Sequence, residues 1–81
     1  MLEVKVLGSG CPNCQRLESE ARAALDGAQI LYHLTKVTDF ADIASYGVMS
    51  TPALVLNDEV VSSGRIPRRE QIIAWAAERQ P

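Results

Sequence analysis

The chain opens with "LEVKVL" (Leu2 to Leu7), in which Leu2, Val4 and Val6 alternate with Glu3 and Lys5. That period of two predicts a strand with one apolar face. Gly8, Ser9 and Gly10 end it with turn residues. From Pro12 to about Leu25 the period lengthens. Cys14, Leu17, Ala21, Ala24 and Leu25 fall on one stripe of a helix. Pro12 suits the first helical position, where its missing N–H costs nothing, and Gly27 supplies a stop signal. "AQILYHL" (Ala28 to Leu34) reads as a second strand with Ile30, Tyr32 and Leu34 on one face. "TDFADIASYG" (Thr38 to Gly47) predicts a short helix capped by Thr38 or Asp39, with Phe40, Ile43 and Ala44 as its apolar stripe. Ala53 to Leu56, a turn at Asn57 and Asp58, and Glu59 to Ser62 form a hairpin. Pro67 opens a last helix with Ile72, Ile73, Ala76 and Ala77 towards the core.

The order is β-α-β-α-β-β-α. A β-α-β start implies two parallel strands joined by a right-handed crossover, and the hairpin adds an antiparallel pair. The expected fold is α/β, a mixed four-stranded sheet flanked by three helices. At 81 residues a single domain, residues 1–81, is expected. A domain of this size buries about 60–65% of the surface of its unfolded chain, and with 47% hydrophobic residues it can build a core without covalent staples. No signal-peptide pattern precedes the first strand, and no apolar run approaches the length of a membrane span, so a cytoplasmic protein is expected. The net charge of -2 carries no nucleic-acid footprint.

The only two cysteines, Cys11 and Cys14, lie in "GSGCPNC". A bridge between them closes too short a loop to act as a structural staple, because stabilisation grows with the length of the loop closed. In a cytosolic protein a close pair is catalytic or metal-binding more often than structural. Cys11 falls at the loop-to-helix junction, near unpaired N–H groups and the positive end of the helix dipole. Both favour the thiolate, which makes Cys11 the nucleophile. Cys14, one turn later and on the core-facing stripe, is placed to resolve the mixed disulfide. Pro12 and Asn13, between the sulfurs, tune the dithiol/disulfide balance. Two alternatives stay open. One is a metal-handling dimer that pools four cysteines, since a structural zinc needs about four ligands and one chain offers two cysteines and the distant His33. The other is a binding module whose cysteines turn over poorly.

Strand, "SGCPNC", helix, strand, helix, "TPALV", hairpin and helix together resemble the thioredoxin superfamily at its glutaredoxin-sized core. The chain is similar in particular to the small redox-active disulfide proteins, through the glycine turn before CxxC, "D…IA.YGV.STPALV" and "G..P" before the last helix. The resemblance covers almost the whole chain. It implies a thiol–disulfide oxidoreductase acting on protein or small-molecule disulfides, with a redox-active Cys11–Cys14 disulfide and no bound cofactor or metal. It also implies a reductase or thiol as electron donor; the charge and hydropathy read above lead to no expected nucleic-acid or membrane partner. It implies that Thr51–Pro52 is a cis peptide packed against the CxxC, and that Thr51, Pro52 and Gly64 shape the substrate groove. Thr51 would offer its backbone to an extended substrate.

The sequence departs from better-known relatives at three places. Gly10 stands where thioredoxins have a tryptophan. Lys5 matches the position of their buried aspartate, and because a buried lysine is costly it is expected in solvent near a sheet end. "SSGRIP" lacks the second glycine and the acid of the glutathione-binding pattern. His33 reads as a surface strand residue, Arg65, Arg68 and Arg69 as a solvated basic face, and Trp75 and Tyr46 as packing residues.

Overall fold

The computed structural model describes residues 1–79. Its elements are β1 (Leu2–Leu7), α1 (Pro12–Gly27), β2 (Tyr32–Val37), α2 (Phe40–Ser45), β3 (Ala53–Leu56), β4 (Glu59–Ser63) and α3 (Arg69–Arg79). One sheet has the order β2-β1-β3-β4. β1 and β2 are parallel, and β3 is antiparallel to both β1 and β4. The mixed four-stranded sheet with three helices is the architecture that the periodicity implied.

Alternation along β1 sends its residues to two different cores. Leu2, Val4 and Val6 join Leu54 and Leu56 beneath α1 and α3, against Leu17, Ala21, Leu25, Ile72 and Ala76. Leu7 joins Ala53, Val55 and Ile43 on the α2 side. All four residues of β3 are buried, as befits an inner strand covered on both faces. Asn57 and Asp58 turn the hairpin with positive φ at both positions, 49° and 66°, the requirement of a tight hairpin turn.

β2 begins later than its apolar pattern indicates, at Tyr32 rather than Ala28. The cause is the end of α1. The helix runs through Gly27, and Gln29 takes the left-handed conformation at φ 58°. Ile30 N–H then donates to Leu25 O at 3.0 Å, and Gln29 N–H to Asp26 O at 3.1 Å. These are the paired bonds of a Schellman ending, in which an apolar contact accompanies the left-handed residue. Buried Ile30 belongs to that ending, not to the strand. Thr35, Lys36 and Val37 instead extend β2 alongside Lys5, Val6 and Leu7.

Three smaller expectations also change. Phe40 is 79% exposed, because Asp39 caps α2 through Ala41 N–H and Asp42 N–H and leaves Ile43 as its only buried residue. Ala77 is exposed, while Ile72 and Ala76 are the buried positions of α3. α3 begins at Arg69 rather than Pro67. Among the described residues, no helix is long and apolar enough to cross a membrane.

Candidate active site

The C-terminal end of β1, the start of α1 and the start of β3 meet at one edge of the sheet. Gly8 N–H donates to Val37 O at 2.9 Å, which continues the pairing with β2 to the edge of the turn. Gly8 is buried, and a Cβ there would collide with Cys14 Sγ. Gly10 reaches φ 92°, which glycine adopts without steric cost, and the chain turns there into α1. Cys11 is the N-cap of α1, and its Sγ accepts a hydrogen bond from Cys14 N–H at 3.1 Å. Its carbonyl accepts from Gln15 N–H at 3.0 Å. Pro12 occupies the first turn, and Pro12 and Asn13 lie exposed between the sulfurs. Cys11 and Cys14 form a disulfide with their Cα atoms 5.0 Å apart. Cys11 is half-buried; Cys14 is 5% exposed.

Across the edge, the Thr51–Pro52 peptide is cis and Pro52 is buried. Thr51 reaches the same spot from the other side, its Cβ 3.9 Å from where a Gly8 Cβ would stand. Pro52 O accepts from Gly64 N–H at 2.9 Å, so the start of β3 is tied to the end of β4. Gly64 is required by both geometry and space. Its φ is 74°, and a Cβ would lie 3.0 Å from Ser50 Cβ. The fold thus brings Cys11, Cys14 and Thr51 to one place, with Pro52 and Gly64 joined behind them.

Lys5 corrects its sequence-based placement. It stands within β1, an inner strand, opposite Val55 and Thr35 and not at a sheet end. Its side chain is 28% exposed, and its Nζ donates to Tyr46 Oη at 2.8 Å and pairs with Asp58 at 3.5 Å. The Tyr46 hydrogen bond, opposed by partial burial and helped by Asp58, raises the Lys5 pKa. Strand alternation puts Lys5 on the α2 face, whereas Cys14 lies on α1. The sheet separates the two, and Lys5 has no path to the sulfurs. Tyr46, read as a packing residue, is also the acceptor for this lysine.

Two side chains near Cys14 were not singled out by motif. A cavity of about 100 Å³ adjoins Cys14, lined by Val6, Gly8, Gly10, Gln15, Glu18, Lys36 and Thr38. Glu18 pairs there with Lys36 at 3.3 Å and with Arg22 at 3.1 Å. Burial pushes the Glu18 carboxyl up, but the Arg22 and Lys36 hydrogen bonds together outweigh it and hold the pKa below its ordinary value. Cys14 and Glu18 are four apart on a helix and so share a face, which was readable from sequence. That Lys36 joins them depends on the parallel register of Val6 with Lys36, which was not.

The remaining candidates lie elsewhere. His33 is exposed beside Glu3 at 3.3 Å, at the opposite end of the β1–β2 pairing from Gly8. Arg69 pairs with Glu20 at 2.7 Å, while Arg65 and Arg68 are exposed. Trp75 packs half-buried against the larger core. Among the described residues, no three His, Cys, Asp or Glu side chains are grouped to hold a metal ion.

A strand, a CxxC at the mouth of a helix and a facing X–Pro turn on a mixed sheet define the thioredoxin superfamily of redox proteins. Sequence comparison narrows the class. The thioredoxin domain family matches residues 2–77. A thioredoxin of Methanothermobacter thermautotrophicus is 32% identical over 89% of this chain and 94% of its own length. A thioredoxin of Methanocaldococcus jannaschii is 33% identical over 89% of this chain and 83% of its own length. A crystal structure of glutaredoxin 1 from Francisella tularensis, complexed with cacodylate, aligns over 96% of this chain and 94% of its own at 18% identity and a TM-score of 0.45. The chain belongs to the thioredoxin domain family, and its chemistry is thiol–disulfide oxidoreduction.

Proposed function

We propose that this chain reduces and exchanges disulfides of other proteins or small molecules, with Cys11 as the attacking and Cys14 as the resolving thiol. The observation that carries this reading is the asymmetry of the pair. Cys11 is half-buried, and its Sγ accepts the Cys14 N–H at 3.1 Å from the first turn of α1. A helix start that donates to sulfur favours the thiolate at that atom. Cys14 is 5% exposed, so an outside disulfide meets Cys11 first. Cys11 attacks one substrate sulfur and releases the other as a thiolate. Cys14 then attacks Cys11 Sγ, the second substrate thiol departs, and the protein is left oxidised.

In this reading Pro12 and Asn13 set the dithiol/disulfide balance, and the groove of Thr51, Pro52 and Gly64 receives the substrate backbone by strand addition. Residues 1–81 work as one domain in a reducing cytosol, without a bound cofactor. A reductase or a thiol pool returns the electrons. The test is insulin reduction with a thiol donor. Cys11→Ser should abolish activity, and Cys14→Ser should leave mixed disulfides with substrate on Cys11. Unchanged activity in both variants refutes the proposal, and metal retained by the freshly reduced protein would favour a metal-handling dimer instead.

A further inference from the structure

The resolving thiol has a proton to lose. Cys14 is 5% exposed, and burial in an apolar setting opposes thiol ionisation. Its Sγ is packed against Gly8 on one side. On another lies the cavity of about 100 Å³ shared with Gln15, Glu18, Lys36 and Thr38, which exceeds the roughly 10–15 Å³ that one water requires. Besides Cys14, the titratable groups lining that cavity are Glu18 on α1 and Lys36 on β2. Arg22, one turn further along α1, also bonds Glu18, at 3.1 Å. The other ionisable candidate, Lys5, lies beyond the sheet. The Glu18 side chain is 18% exposed and is held by cations from two elements, so its carboxylate has a fixed place beside the cavity.

We propose that Glu18 takes the Cys14 proton through this cavity during resolution, with Lys36 as a positioning residue that holds the carboxylate at the cavity. The inference rests on the proposed roles of Cys11 and Cys14. In the step, the Cys14 S–H bond breaks and the proton passes by way of water to Glu18. The Cys14–Cys11 S–S bond forms as the Cys11–substrate S–S bond breaks. The substrate thiolate leaves with that electron pair and is protonated from Glu18 or solvent. The dithiol loses two electrons and the substrate disulfide gains them, and the return of electrons by the donor runs the same path backwards. The depressed Glu18 pKa keeps the carboxylate ionised and ready across the neutral range. The transfer is uphill by about four pKa units on reference values, and by more here because burial disfavours the Cys14 thiolate and the cations hold Glu18 ionised. It is drawn forward by the S–S bond that follows.

The test is single-turnover reaction of the reduced protein with an aryl disulfide that releases a coloured thiolate twice, first on Cys11 attack and then on resolution. Glu18→Gln should leave the first phase unchanged and slow the second about 10- to 100-fold near neutral pH, around the lower end of what a positioned base contributes. The wild-type second phase should be flat over roughly pH 5.5–7.5, and that of Glu18→Gln should climb about tenfold per pH unit as thiolate forms unaided. Lys36→Met should shift the acid limb of the profile to higher pH. Acetate should restore the second phase of Glu18→Ala, which no purely structural role for Glu18 would allow. A Glu18→Gln second phase equal to wild type in rate and pH slope overturns the inference, as does equal slowing of both phases without acetate rescue. A wild-type protein with no second phase refutes the resolving role of Cys14 instead.

Discussion

The two faces of the sheet are built to different standards. Beneath α1 and α3 a dozen buried residues form the larger core, Leu2, Leu17, Leu54 and Ile72 among them. Beneath α2, among the described residues, the hydrophobic cluster holds four buried members, Leu7, Ile43, Ala53 and Val55, with Tyr46, Val48 and Val37 packed partly buried against it. Lys5 also faces that side and is satisfied by Tyr46 and Asp58 rather than removed. The first face carries stability and fixes the helix that bears both cysteines. The second holds a six-residue helix on the path between β2 and the Thr51–Pro52 turn. Packing is concentrated under α1 and α3, and local opening is expected where contacts are few.

The largest effect should separate the faces directly. Leu54→Ala should cost about 3–5 kcal/mol and Ile43→Ala about 2–3 kcal/mol, within the range of buried large-to-small changes, measured by urea unfolding. Equal costs would mean that the thin face is as tightly packed as the thick one. Next is Asp39→Ala, which removes the cap that accepts from Ala41 and Asp42. It should cost about 1 kcal/mol and speed amide exchange in α2 while leaving α1 protected. Gly27→Ala should stabilise by about 0.5–1 kcal/mol, because Gly27 is helical and a Cβ there meets nothing within 4 Å. Denaturant midpoints decide the sign.

The smallest effects are in pH, and the two faces should respond at opposite ends of the scale. Glu18 has a depressed pKa, so its contribution is present above the unfolded carboxylate value of about 4.3 and is lost as pH falls through the folded value. Lys5 has a raised pKa, so its contribution is present below the unfolded value of about 10.4 and is lost as pH rises through the folded one. Glu18→Gln should therefore flatten the acid limb of the stability profile alone, and Tyr46→Phe the alkaline limb alone.

Element order was legible because β1 alternates from Leu2 to Val6 and the stripe from Cys14 to Leu25 keeps helical spacing. The CxxC pair was legible because the chain has only two cysteines, three residues apart; the Thr51–Pro52 turn was legible only through the family resemblance. What the sequence hid depended on register and side. Gly27 signals a helix end, yet the Leu25–Ile30 contact selects Gln29 as the left-handed residue and displaces β2. Phe40 has the spacing of a core residue but sits at the first position of a helix too short to bury a second face. Lys5 has a period-two neighbour on either side, and nothing in that pattern names Tyr46, 41 residues away, as its acceptor. Glu18 and Lys36 meet only because two parallel strands align Val6 with Lys36.

The unequal burial of the two sulfurs has an analytical use. In the reduced chain, a thiol-alkylating reagent should label Cys11 at once and reach Cys14 only when the start of α1 lifts from Gly8. The lag between first and second labels, read by intact mass, would then time the breathing of the helix that carries the chemistry. Two thiols three residues apart would serve as a stopwatch for local opening, with no probe attached.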